Sequence, residues 1–143
     1  MTSSTTSPSR IQLLGRAVKR AQWRDHRSID TALREIGTTL VQWDALRAIG
    51  LNPGASGHQL AELTFQSDQS FQTLATRLLR QDLIERRSGS GRRIEHHLTP
   101  AGRRLVRRAA DVVDGVLGER FGVLTATEQR TLLKLLDKLD AEI

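Results

Sequence analysis

The chain has 143 residues, of which 38% are hydrophobic and 27% charged, enough to pack one domain of ordinary size and with little room for a second. It contains no cysteine, which excludes disulfide scaffolds, thiolate metal sites and cysteine nucleophiles, and no apolar run approaches the roughly 20 residues that span a bilayer. The net charge is +6, yet the ten arginines between Arg77 and Arg108 face only three acids, so this segment alone carries +7 and points to nucleic acid as a partner.

Met1–Ser9 is a polar tail without the apolar centre of a signal peptide, and a cytoplasmic protein with no membrane contact is expected. From Arg10 the apolar residues Ile11, Leu14, Val18, Ala21, Leu33 and Ile36 recur at helical spacing, and Gly37 supplies a stop. The polar run Arg24–Asp30 weakens the middle of this helix, where a bend or break is expected. Three later helix starts carry capping boxes: Thr39 with Gln42, Ser56 with Gln59, and Thr125 with Glu128. The first opens a helix through Trp43, Leu46 and Ile49, stopped by Gly50 and the Asn52-Pro53-Gly54 turn. The second opens a short helix from Gly57 to about Thr64. Ser67 caps the next, running to about Gln81 with an inner stripe of Phe71, Leu74, Ala75 and Leu78.

Leu83–Ser88 and Arg92–Leu98 then read as two short strands around the turn Gly89-Ser90-Gly91. Ile94, His96 and Leu98 share one face of the second strand. Thr99 and Pro100 open a helix that ends near Gly122, and the last helix, from Ala126, carries Leu132, Leu133, Leu135, Leu136 and Leu139.

Three helices followed by a hairpin are the plan of a winged helix-turn-helix, so the expected class is mainly α with a small β-hairpin wing. The lobe spans about 39–99, and helices at about 10–36 and 100–143 form a stem within the same single domain. The helix after Ser67 would enter a major groove, and the basic hairpin would reach a minor groove or its phosphates. The candidate DNA-facing residues are Ser67, Gln69, Ser70, Gln72, Thr73, Thr76 and Arg77 on the helix, with Arg86, Ser90, Arg92 and Arg93 on the hairpin. Gln can bond adenine at two points, Arg guanine, and Thr can offer a methyl to thymine and a hydroxyl to phosphate. Alone, such a face is more often merely solvated; beside an arginine-rich hairpin, groove reading is the better account. Arg103, Arg104, Arg107 and Arg108 are better read as a solvated helix strip.

The stretch Arg92-Arg-Ile-Glu-His-His-Leu98-Thr99-Pro100-Ala101-Gly102 resembles the wing signature of the MarR family of bacterial transcriptional regulators, Asp-x-Arg followed by Leu-Thr-x-x-Gly. Arg92 falls on the wing-tip arginine, and Leu98, Thr99 and Gly102 on the rest. Leu74 to Ile84 is similar to the end of the family's recognition helix, with Arg77 and Leu78 matching, and the likeness runs from about Ile11 to Leu139. Three positions depart from the pattern: Ser90 replaces the wing Asp, Asp82 replaces a helix-ending Gly, and His96 replaces an aliphatic residue.

The resemblance implies a double-stranded DNA-binding regulator, a repressor in the default reading. It would bind a pseudo-palindrome as an obligate homodimer and be released by a small aromatic or phenolic ligand. The leucines of the last helix and the apolar N-terminal helix support a dimer independently, since a lone wing lobe has no use for them. In the fold implied, Trp23 and Trp43 border the ligand crevice, and Arg47, one turn beyond Trp43, could meet a carboxylate. Core packing is the plainer fate of both tryptophans.

No metal or other cofactor is expected. His96 and His97 are adjacent in a strand and point to opposite faces, while His58 is expected to stand without a carboxylate partner one turn on. His96 reads as a half-buried structural histidine. No glycine-rich phosphate loop, metalloprotease helix motif or serine elbow is present, so catalysis is not expected. The alternative to a DNA reader is a winged helix used purely to bind protein.

Overall fold

The structure is a computed structural model that describes residues 6–141; residues 1–5 of the expected tail and residues 142–143 of the expected stem lie outside it. Six helices and one two-stranded antiparallel sheet follow in order. They are α1 (Arg10–Arg34), α2 (Leu40–Leu51), α3 (Gly57–Leu63), α4 (Asp68–Arg80), β1 (Ile84–Ser88), β2 (Ile94–Leu98), α5 (Pro100–Phe121) and α6 (Ala126–Asp140).

The expected interruption of α1 does not occur as a break: the helix runs unbroken for 25 residues. Its polar middle holds neither proline nor glycine, so nothing interrupts the backbone ladder. Ile29 and Leu33, one turn apart, still bury against the lobe. Asp30 ties the end of α1 to the start of α2, accepting from Arg34 Nε at 2.8 Å and from the Leu40 N–H at 2.9 Å. The Leu40 bond first, and Arg34 second, hold this carboxyl below its usual pKa. Gly37, at φ +84°, lets Thr38 N–H return to the Leu33 carbonyl and Gly37 N–H to Arg34, which closes the helix end.

Full capping boxes form at Ser56–Gln59 and Thr125–Glu128, and a further one at Ser9–Gln12, where the last residue of the expected tail caps α1. The expected box at Thr39 is half made. Thr39 accepts from the Gln42 N–H, but the Gln42 side chain accepts from the buried Thr38 hydroxyl instead. None of the helices described is long and apolar enough to cross a membrane.

Two cores hold the chain together. In the lobe, Leu46 and Ile49 of α2, Leu60 of α3, and Phe71, Ala75 and Leu78 of α4 pack with Ile84 of β1. The second core joins stem to lobe through Ile29, Leu33, Trp43, Ala109 and Val113. Strand register pairs Ile84 with Leu98, Arg86 with His96 and Ser88 with Ile94. The stem is unfinished by comparison. α6 has no buried residue, and Leu133, Leu139, Ile11 and Leu14 lie open, Leu139 at 73% exposure. Between α1 and α6 runs an apolar cleft of about 510 Å³ lined by Leu14, Val18, Leu132 and Leu136.

Candidate nucleic-acid interface

The amphipathic spacing of α4 decides which residues it offers outward. With Phe71, Leu74, Ala75 and Leu78 buried, Gln69, Ser70, Gln72, Thr73, Thr76, Arg77 and Arg80 are all exposed. Ser67 caps the helix, accepting from the Ser70 N–H at 3.1 Å and donating to the Ser70 hydroxyl at 3.0 Å. The Thr73 and Thr76 hydroxyls donate back to the carbonyls of Gln69 and Gln72, at 3.1 and 2.9 Å. In this arrangement each presents a methyl and an acceptor outward, its hydroxyl proton being turned to the helix backbone.

The wing lies against this face. Arg86 on β1 donates through Nη2 to Gln72 Oε1 at 3.0 Å and through Nε toward His96 Nε2 at 3.4 Å. Arg93 folds back instead, donating to the Gly54 carbonyl at 2.9 Å and to Gln59 Oε1 at 3.2 Å, so its guanidinium anchors the hairpin to the start of α3. Arg87 is paired with Glu85. Arg92 is exposed at the hairpin end, next to Gly91 with its φ of +66°. Ser90 closes the turn through its carbonyl, which accepts from the Arg93 N–H at 3.3 Å.

Two of the unusual positions now have a physical setting. Asp82 sits at φ +58°, the left-handed conformation that favours glycine, and its carbonyl accepts from Thr99 Oγ1 at 2.7 Å. His96 is 1% exposed, edge-on to the Phe71 ring at 5.9 Å, and its Nδ1 donates to the Ala55 carbonyl at 3.0 Å. Burial, with Arg86 and His97 beside it, pushes the imidazole below its ordinary pKa against the opposing pull of that hydrogen bond.

His58 is not alone as expected. Its Nε2 lies 3.1 Å from Glu62, one helical turn on, and its Nδ1 lies 3.0 Å from Asp68, which joins α3 to the first turn of α4. The Asp68 hydrogen bond, and then the charges of Asp68 and Glu62, raise its pKa. Among the described residues no group of three or more His, Asp or Glu side chains could hold a metal ion.

The three candidate ligand residues are not gathered. Trp43 is buried in the second core with Arg47 stacked over its ring at 4.7 Å, and Asp44 holds that guanidinium at 2.9 Å. Trp43 Nε1 is buried with no hydrogen-bond partner among the described residues. Trp23 is 55% exposed, under Arg27. Six residues separate it from Ile29, which packs in the Trp43 core, so it points roughly 120° away around α1.

The helix pair α3–α4, its polar outer face and the hairpin folded against it define a winged helix-turn-helix with a helical stem. The sequence model described as the MarR family matches residues 36–94. The HTH-type transcriptional repressor Rv2887 of Mycobacterium tuberculosis is 31% identical over 116 residues, covering 80% of this chain and 84% of the relative. The chain belongs to the MarR family. A crystal structure of Rv2887 with p-aminosalicylic acid superposes with a TM-score of 0.76 at 29% identity, covering 90% of this chain and 98% of that one. The structure of Rv2887 in complex with DNA gives 0.77 at 26% identity, with 95% and 100% covered.

Proposed function

We propose that this protein is a transcriptional repressor that reads a pseudo-palindromic duplex as a homodimer and is released by a small aromatic acid. The observation that carries the reading is the Gln72–Arg86 bond, which makes the exposed face of α4 and the basic wing one continuous surface. A major-groove helix beside a minor-groove wing needs that continuity. Within it, Gln69, Thr73, Thr76 and Arg77 face base edges, and Arg92 reaches into the minor groove beside Ser90. Ser67 and Ser70 lie where the helix start meets phosphate, and Arg93 steadies the wing. Such a protein binds rather than catalyses, and its place of work is the cytoplasm.

The dimer is supported by the open leucines of α6 and the apolar cleft beside α1, surfaces too apolar to be left to water. The ligand reading is supported by the unpaired Trp43 Nε1 beside the Arg47 guanidinium, a donor and a cation that suit a carboxylate, and by the salicylate-type ligand of Rv2887. Trp23 would join that site only through the partner subunit.

Titration of a mixed-sequence duplex across a salt series tests the function. Affinity falls steeply with salt if several phosphates are neutralised. Absent or salt-independent binding contradicts the reading and favours a protein-binding module. Added salicylate is expected to quench tryptophan fluorescence and weaken DNA binding; a flat quenching curve removes the ligand.

A further inference from the structure

A chain of hydrogen bonds runs from the loop after α2 to the middle of the exposed face of α4. The Ala55 carbonyl accepts from His96 Nδ1 at 3.0 Å, which leaves Nε2 of the neutral imidazole as the acceptor that faces Arg86 Nε at 3.4 Å. The other arm of the same guanidinium donates to Gln72 Oε1 at 3.0 Å. Arginine has only donors, so the Gln72 atom turned toward the wing is the oxygen. The amide nitrogen is confined as well, because a Cβ on Gly57 would stand 2.5 Å from Gln72 Nε2. No positive φ is involved at Gly57; what this position supplies is room for the amide.

That orientation matters for base reading. Adenine offers the major groove an acceptor at N7 and a donor at N6, and a glutamine matches both only when its oxygen and nitrogen face the base together. With the oxygen held sideways by Arg86, the amide offers N–H alone. Guanine, through N7 and O6, presents two acceptors to such a donor and thymine one, through O4, whereas adenine sets its N7 acceptor beside the donor N6 and cytosine offers the donor N4. We propose that Arg86, steadied by His96, is a positioning residue that turns Gln72 into a reader of keto bases and removes the two-point adenine contact open to a free glutamine. The inference rests on the DNA-reading function proposed above.

The test is selection from a randomised duplex pool with wild type, Gln72→Ala, Arg86→Ala and Arg86→Lys, each first shown by thermal unfolding to be folded. The lysine keeps a charge for phosphate but has no fork to hold His96 and Gln72 at once. Gln72→Ala is expected to flatten one column of the selected site, and in wild type that column favours guanine or thymine over adenine by at least about fivefold. In both Arg86 variants adenine rises at that column alone. An adenine preference in wild type overturns the inference, and so does an even loss of affinity in the Arg86 variants with the column unchanged. If Gln72→Ala flattens nothing, Gln72 reads no base and the inference fails while the DNA function stands. If wild type enriches no site, both fail.

Discussion

A single imidazole shows how far residue-level chemistry shapes this surface. His96 packs on Phe71 at a strand position whose inner face suits an aliphatic side chain, and it exchanges hydrophobic contact for a bond to Ala55 and an acceptor toward Arg86. Its folded pKa lies below the ordinary 6.5, so the stability it contributes is complete above pH 6.5 and is lost as pH falls through the folded value. His58, with a raised pKa, runs the opposite way: its contribution is complete below 6.5 and is lost as pH rises through its folded value. Comparison of wild type with His96→Gln by urea unfolding cancels His58. The stability difference between the two is expected to shift against wild type between pH 7.5 and 5, and a pH-independent difference would show that His96 does not titrate in this range. Asp82 and Phe65 both lie at positive φ, and Phe65 is 96% exposed, so replacing it loses no packing. Phe65→Gly and Asp82→Gly are each expected to add about 0.5–1 kcal/mol, readable as a rise in urea midpoint. A fall would mean that the left-handed backbone is not the dominant cost there. Arg92→Ala should weaken DNA binding and leave oligomer mass unchanged; undiminished affinity would mean that the wing tip is not used.

At the scale of elements, much was legible because periodicity and caps are local. The inner stripe of α4, the strand pair and the Thr99-Pro100 start all follow from spacings of a few residues. α1 does not break at Arg24–Asp30 because a polar run by itself leaves the backbone ladder intact; without proline, glycine, a π-bulge or an inserted group nothing interrupts it. The long-range bonds were not legible. Arg86 reaches Gln72 across 14 positions and Arg93 reaches Gly54 across 39, and both depend on the wing folding back. His58 is a different case: Glu62 stands four residues on in plain view, and only its pairing with Asp68 needed the fold. Gly102, part of the wing signature, gains its reason only in three dimensions, since a Cβ there would lie 2.0 Å from the Leu83 carbonyl oxygen. Gly102→Ala must push α5 away from the start of β1, at a cost of about 3 kcal/mol in urea unfolding. A neutral result would show that the two backbones separate easily.

The whole molecule is a lobe with a finished core on a stem without one. The leucines of α6 and the apolar face of α1 are open in the single chain, and a two-fold partner is the economical cover for both. Leu136→Glu is expected to yield monomers by sedimentation while the lobe stays folded, because Leu136 lies outside both cores. A variant that remains dimeric would place the interface elsewhere. In the proposed dimer the two-fold also sets the spacing between the two copies of α4, and so the geometry of the operator. The most direct measurement is therefore selection of duplexes from a randomised pool by the purified protein. An enriched inverted repeat with centres about 10 base pairs apart is the result expected of two recognition helices on one face of the duplex. A pool that enriches no sequence at low salt, or only a single half-site, would contradict the dimeric groove reader.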